Sequence, residues 1–258
     1  MHTELRLSLP ALYGFLLVMA RVAGAFVFVP LPGIGSSPVT ARMVLILAIT
    51  ASLAPVWPVV AIAEPSIGTL AAWLVAEAAF GLTVGVAVSF LNEAMLVAAQ
   101  AMGLQAGYAF ASTVDPTTQA DSSVLQVIAQ LGASLLFFAV GMDREVIRIF
   151  ARSLEVYPAG SYGASLKSLD AVLHLGSAMF STGLRLAMPV LALLSLVDIA
   201  LALMGRINAQ LQLLSLAFPA KMLAALGLLT ITVRVFPVVY QTAADHTIKT
   251  LEGIFFGR

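Results

Sequence analysis

Two runs without a single charge, Ala94–Val114 and Ser122–Met142, flank the dipeptide Asp115-Pro116. Each is 21 residues long, as is a third run, Met43–Ala63. Roughly 20 helical residues cross the hydrocarbon of a bilayer. The insert between the first two, Ser112 to Ser123, is polar throughout except for Val114, Pro116 and Ala120. Backbone amides of an uncovered loop cannot lie in lipid, so this insert must meet water or protein. The pattern predicts a membrane polypeptide with one polar hinge. Transmembrane strands would alternate with period two, and these runs are too uniformly apolar for that. The fold class is therefore all-α.

Composition agrees. Hydrophobic residues make up 60% of the chain, charged residues 10%, and mean hydropathy is +1.01; ordinary globular chains are about 25% charged. A net charge of zero offers no basic surface to nucleic acid. Without cysteine there is no disulfide, thiolate nucleophile or thiolate metal site. Met1–Ala25 mimics a secretory signal, with Arg6, an apolar run and Ala23-Gly24-Ala25. The apolar run continues through Phe26 to Val29, so it is read as a first span.

Six long, kinked spans arranged as hairpins in one domain, 1–258, are predicted. They are about Leu9–Val29, Met43–Ala63, Ile67–Phe110, Ser122–Met142, Ala171–Leu203 and Leu211–Tyr240. The second is interrupted by Pro55 and Pro58; the last two contain Pro189 and Pro219, with Pro237 near the end. The third would measure roughly 66 Å as a straight helix, against a hydrocarbon core of about 30 Å. Either it breaks near Asn92-Glu93, or it is one helix that overshoots. A turn there has neither glycine nor proline, which favours one helix. The basic residues divide seven to two between the two sides under either count. They therefore orient only the second half, with the hydrophilic stretch Asp143–Asp170 and the C-terminus cytoplasmic and the Asp115 loop opposite.

Catalytic arrangements are poor. His2, His174 and His246 are far apart and lack ligand-spaced neighbours, so no metal is expected. No HExxH, Gly-x-Ser-x-Gly or phosphate-binding glycine loop occurs. Paired aspartates for intramembrane proteolysis would have to be Asp115 and Asp198, and Asp115 opens a loop. The reading is a non-enzyme without cofactors.

Charges inside apolar elements are more informative, because they usually face protein or water. Arg21 and Arg234 lie where snorkelling toward a helix end is possible, and Glu77 and Glu93 lie on the third element. Arg185, Asp198 and Lys221 cluster in the last two elements and are predicted to pair with one another or with a neighbouring subunit. Gly81-x-x-x-Gly85 and Gly103-x-x-x-Gly107 put small residues on one helical face, where backbones can approach closely. They are predicted to mediate subunit packing.

The run Gly103-Leu104-Gln105-Ala106-Gly107-Tyr108-Ala109-Phe110-Ala111-Ser112-Thr113-Val114-Asp115-Pro116 resembles the centre of the FliR family of flagellar export-gate proteins, whose injectisome counterpart is SctT. Ala187-Met188-Pro189-Val190, Leu196-Val197-Asp198-Ile199-Ala200-Leu201 and Phe218-Pro219-Ala220-Lys221 agree further and in order. The family's proline-glutamine-leucine-asparagine run is here Ala209-Gln210-Leu211-Gln212, a departure at its first and last residues.

The resemblance implies one copy joining FliP-like and FliQ-like subunits in a cone-shaped portal of the inner membrane, within the flagellar basal body. FlhB and FlhA would be partners, and unfolded flagellar axial proteins the cargo. It implies a pore plug from about Phe110 to Ser123, covering Ser112, Thr113, Val114, Asp115, Pro116, Thr117 and Thr118. Met102, Tyr108 and Phe110 beside it could form an apolar gasket, since hydrophobic constrictions close pores by dewetting. The competing readings are an injectisome gate subunit and a small transporter or channel. Transporters commonly show inverted repeats, and no such symmetry is visible.

Overall fold

A computed structural model describes residues 9–29, 39–58, 66–108, 124–157, 160–162, 166–207 and 213–257. Among these residues all regular structure is helical, as the apolar pattern predicts. The helices are α1 (Leu9–Phe26), α2 (Val39–Ser52), α3 (Ile67–Ala106), α4 (Val124–Ala139), α5 (Met142–Val156), α6 (Leu166–Ile207), α7 (Leu213–Thr232) and α8 (Phe236–Phe256).

Among the described residues, three helices are long and apolar enough to cross a membrane: α1, α3 and most of α6. Two bent pairs raise the number to five, α4 with α5 (57°) and α7 with α8 (59°). That is in keeping with the about six elements expected. The α2 helix is the short one, its 14 residues reaching about 21 Å. A short 3-10 turn, Ala54–Val56, follows it, because Pro55 and Pro58 bring no N–H to continue the helix. Trp57 folds back, its indole N–H donating to the Thr50 carbonyl at 2.9 Å and its ring meeting Phe15 edge-on at 5.4 Å.

α3 runs 40 residues, roughly 60 Å, straight through Asn92-Glu93. The polar doublet does not break it. Asn92 is buried, accepts the Tyr240 hydroxyl at 2.9 Å and reaches Ser134 at 3.5 Å. Glu93, next in sequence, points out. Pro189 sits inside α6, which stays continuous over 42 residues.

The hydrophilic stretch Asp143–Asp170 contains regular structure in its described residues. Its first part forms α5, which turns Val146, Ile149, Phe150 and Leu154 inward and its charges outward. Gly141, at φ +80°, makes the bend from α4, a conformation that a side chain would strain. Asp143 and Glu145 then lie in the first turn of α5, where the helix dipole favours negative charge. The sixth element does not end at Tyr240 either. Pro237 opens α8 instead of closing α7, because a first-turn proline lacks only an N–H that has no helical acceptor.

The chain gathers into two compact units: Met1–Phe90, Phe137–Gly176 and Ala244–Arg258 in one, Leu91–Leu136 and Ser177–Ala243 in the other. In the first, α1 lies against α3 at glycines. A Cβ on Gly24 would meet the Ala78 carbonyl oxygen at 2.5 Å, and one on Gly81 or Gly85 would overlap α1 backbone at Arg21 or Ala25. Phe80 fills the centre, with ring centroids of Phe255 at 4.1 Å, Tyr162 at 5.2 Å and Phe150 at 6.4 Å. In the second unit, Gly183 lets α6 settle on α3, where an added Cβ would meet the Ala94 carbonyl oxygen at 2.7 Å.

Candidate functional site

Among the described residues, an ion pair joining two helices lies at the heart of a polar cluster in each unit. In the first, the helix faces that meet at Gly81 bring Arg21 of α1 onto Glu77 of α3, one turn away. The guanidinium Nε–H donates to Glu77 Oε2, with each side chain 1% exposed. Arg21 Nη1 donates to Ser153 Oγ at 2.7 Å, and the cation lies 4.5 Å over the Phe80 ring. Glu77 Oε1 accepts the Gly160 backbone N–H at 2.9 Å. Gly160 has φ +75° and abuts the Trp73 ring, so a side chain there would break the contact twice over. Arg21 Nη2 and the Tyr162 hydroxyl are buried without a partner among the described residues. Arg21 therefore does not snorkel; it is locked in the core.

The second cluster gathers at the C-terminal end of α3. Gly107 (φ +84°) stops the helix: its N–H bonds the Leu104 carbonyl at 3.2 Å and the Tyr108 N–H bonds the Gly103 carbonyl at 3.0 Å. That pair of bonds is a Schellman cap. Around it, Gln105 Nε2 donates to Asp198 Oδ2 at 3.0 Å. Lys221 Nζ reaches both Asp198 oxygens, Oδ1 at 2.8 Å and Oδ2 at 3.0 Å. The Tyr108 hydroxyl makes a longer bond, 3.4 Å, to the Met222 carbonyl. Thus α3, α6 and α7 are tied together by one carboxylate and its three-sided neighbourhood. Asp198 is 44% exposed and Lys221 15%, so the cluster is open on one side.

The sequence-derived candidates distribute as follows. Asp198 and Lys221 do pair. Arg185 does not: it is exposed on α6 and forms no ion pair among the described residues. Glu77 pairs with Arg21. Gly81 and Gly85 make a close approach within the chain, against α1. Gly107 serves as a helix stop. Gly103 and Met102 are both buried. Phe110, Ser112, Thr113, Val114, Asp115, Pro116, Thr117 and Thr118 lie outside the described residues, as do Asn208 to Gln212. Sequence reasoning missed Gln105, Ser153 and Gly160 as members of the clusters. Their partners are 93, 132 and 83 residues away, and nothing local marks them.

Residues 12–247 match the family described as bacterial export proteins, family 1. The chain is similar to flagellar biosynthetic protein FliR of Escherichia coli (strain K12), 29% identical over 212 residues that cover 82% of this chain and 80% of that protein. Flagellar biosynthetic protein FliR of Caulobacter vibrioides is 26% identical over 219 residues, 84% of this chain and 86% of its own. The Bacillus subtilis (strain 168) protein of the same name is 26% identical over 246 residues, 93% of each chain.

Proposed function

The chain belongs to the bacterial export proteins, family 1, and from that membership we propose that it is a membrane-embedded gate subunit of the flagellar export apparatus. The relatives' shared name supports the flagellar system over its injectisome counterpart. In this reading the protein helps form and close the conduit by which unfolded axial proteins cross the inner membrane. FliP-like and FliQ-like subunits, FlhB and FlhA are its partners, and its work is mechanical, without catalysis.

The observation that carries the reading is the pinned end of α3. Gly107 stops the helix, and Gln105 and Tyr108 are bonded to α6 and α7 immediately before the polar insert begins. A segment that closes a conduit needs such a root. Without one, the ordering entropy of a dozen residues opposes closure at about 1–2 kcal/mol each. Phe110 and the residues from Ser112 to Thr118 are the proposed stopper, with Met102 and Tyr108 at its base.

Deleting Ser112–Ser122 provides the test. The complex assembles at the wild-type level, and the cells become permeable to small solutes. Wild-type permeability in a fully assembled deletion mutant overturns the stopper role.

A further inference from the structure

Arg185 lies 19 residues after the start of α6 and 22 before its end. The helix has only two charges between Leu175 and Gly205, Arg185 and Asp198. Asp198 is taken by Lys221 and Gln105. Arg185 is exposed and unpaired among the described residues, and it lies about 15 Å inside this apolar stretch. That is half the thickness of a bilayer's hydrocarbon.

Its surroundings define a face. At 100° per residue, Met188, Pro189, Ala192, Leu196 and Ile199 point the same way as Arg185, and all five are exposed. On the other side of the helix, Gly183, Ala187, Val190 and Leu194 are buried. The outward face is therefore apolar around a single cation. Pro189 adds a second need. It has no N–H to give the carbonyl four residues earlier, which is that of Arg185 itself. One residue thus presents an unmatched guanidinium and a carbonyl without its helical donor, both in an apolar setting where such groups are costly.

We propose that this face of α6 docks an apolar helix of another subunit whose carboxylate pairs with Arg185. An Arg–carboxylate pair satisfies the cation with directional, charge-assisted bonds, and the proline notch accepts a hydroxyl or amide donor from the same helix. A lipid phosphate is the poorer match, because phosphates sit at the membrane surface and the cation is well inside the apolar stretch. The inference rests on the gate-subunit reading and adds to it the chemistry of the neighbour.

The experiment uses the complex assembled in cells with its neighbouring genes. A photo-crosslinking phenylalanine replaces Met188, and the captured peptide is sequenced. The expected peptide is an apolar segment with Asp or Glu within one turn of the crosslink. Arg185→Glu should lower recovery of that partner at least ten-fold, and reversing the mapped carboxylate to Lys should restore it. Arg185→Leu and Arg185→Glu, purified alone in detergent, should melt with the wild type, which separates docking from folding. Crosslinks confined to lipid or to this chain overturn the proposal, as does wild-type recovery with Arg185→Glu. If the unmodified chain copurifies with no other subunit, the gate reading itself fails.

Discussion

Arg21–Glu77 and Lys221–Asp198 are both ion pairs joining helices, but they are enclosed differently. The first is sealed, 1% exposed on each side, with Ser153, Gly160 and Phe80 meeting all that the two charges leave open except Arg21 Nη2, which has no partner among the described residues. The second has Lys221 largely covered and Asp198 nearly half exposed. Charges withdrawn completely from water are tolerable only when their remaining lone pairs and protons are met. The sealed pair therefore demands a precise frame of helices, and it gets one from glycine contacts between α1 and α3. The open pair makes fewer demands and can be loosened without collapse. One pair fixes the fold; the other can be adjusted at the end of a helix.

The largest effect should come from breaking the sealed pair. Arg21→Met strands Glu77 in the core and should cost about 3–5 kcal/mol, because one partner of a buried pair is left uncompensated. Thermal unfolding in detergent and the yield of monodisperse protein measure it. Combining Arg21→Met with Glu77→Leu sharpens the point, since replacing both charges should recover most of that loss.

Next comes the frame. Gly81→Val drives a side chain into the α1 backbone at Arg21, and overpacking of this kind costs about 1–3 kcal/mol. A double-mutant cycle with Arg21→Met should be strongly non-additive, because a valine that pushes α1 away also draws the Arg21 side chain off Glu77.

Asp198→Asn should cost less, on the order of 1 kcal/mol, since the pair is partly exposed and the amide still accepts from Lys221. Exchanging the residues, Asp198→Lys with Lys221→Asp, should restore stability relative to either single change. The smallest effect belongs to Arg152–Glu252, a surface pair at 3.4 Å. Arg152→Ala should move stability by about 0–1 kcal/mol from the ion pair, plus whatever the stacking on Phe256 at 4.2 Å contributes. A loss at Arg152 as large as that at Arg21 would erase the distinction between sealed and open pairs.

The contrast also shows where sequence reading reaches its limit. The helical class and the continuity of α3 were legible because apolar runs and an absent breaker are local facts. The Asp198–Lys221 pair was legible because both charges fall in adjacent apolar elements. Arg21 was not. Its counter-ion is 56 residues away, and a charge near a helix end looks alike whether it snorkels or is entombed. Small-residue spacing is open to several partners for a related reason. Gly81 and Gly85 face a neighbouring helix, whereas Gly107 follows the same spacing only because a left-handed residue must end α3 there. Spacing specifies a face, and the fold decides what meets it. The same holds for Pro237, which reads as a terminator until the bend after Thr232 makes it a beginning.

The order of synthesis gives the Arg21 contact one more consequence. A ribosome delivers α1 to the membrane long before Glu77 exists, and Ser153 follows 132 residues after Arg21. Until then the nascent segment carries an unmatched guanidinium, a burden that reaches roughly 2.5–3.5 kcal/mol at mid-membrane on insertion scales and is smaller toward a helix end. Stable integration of the first segment thus waits for the third helix to arrive with its counter-charge. The two must be threaded as a pair, so an early truncation before Glu77 should leave α1 poorly anchored.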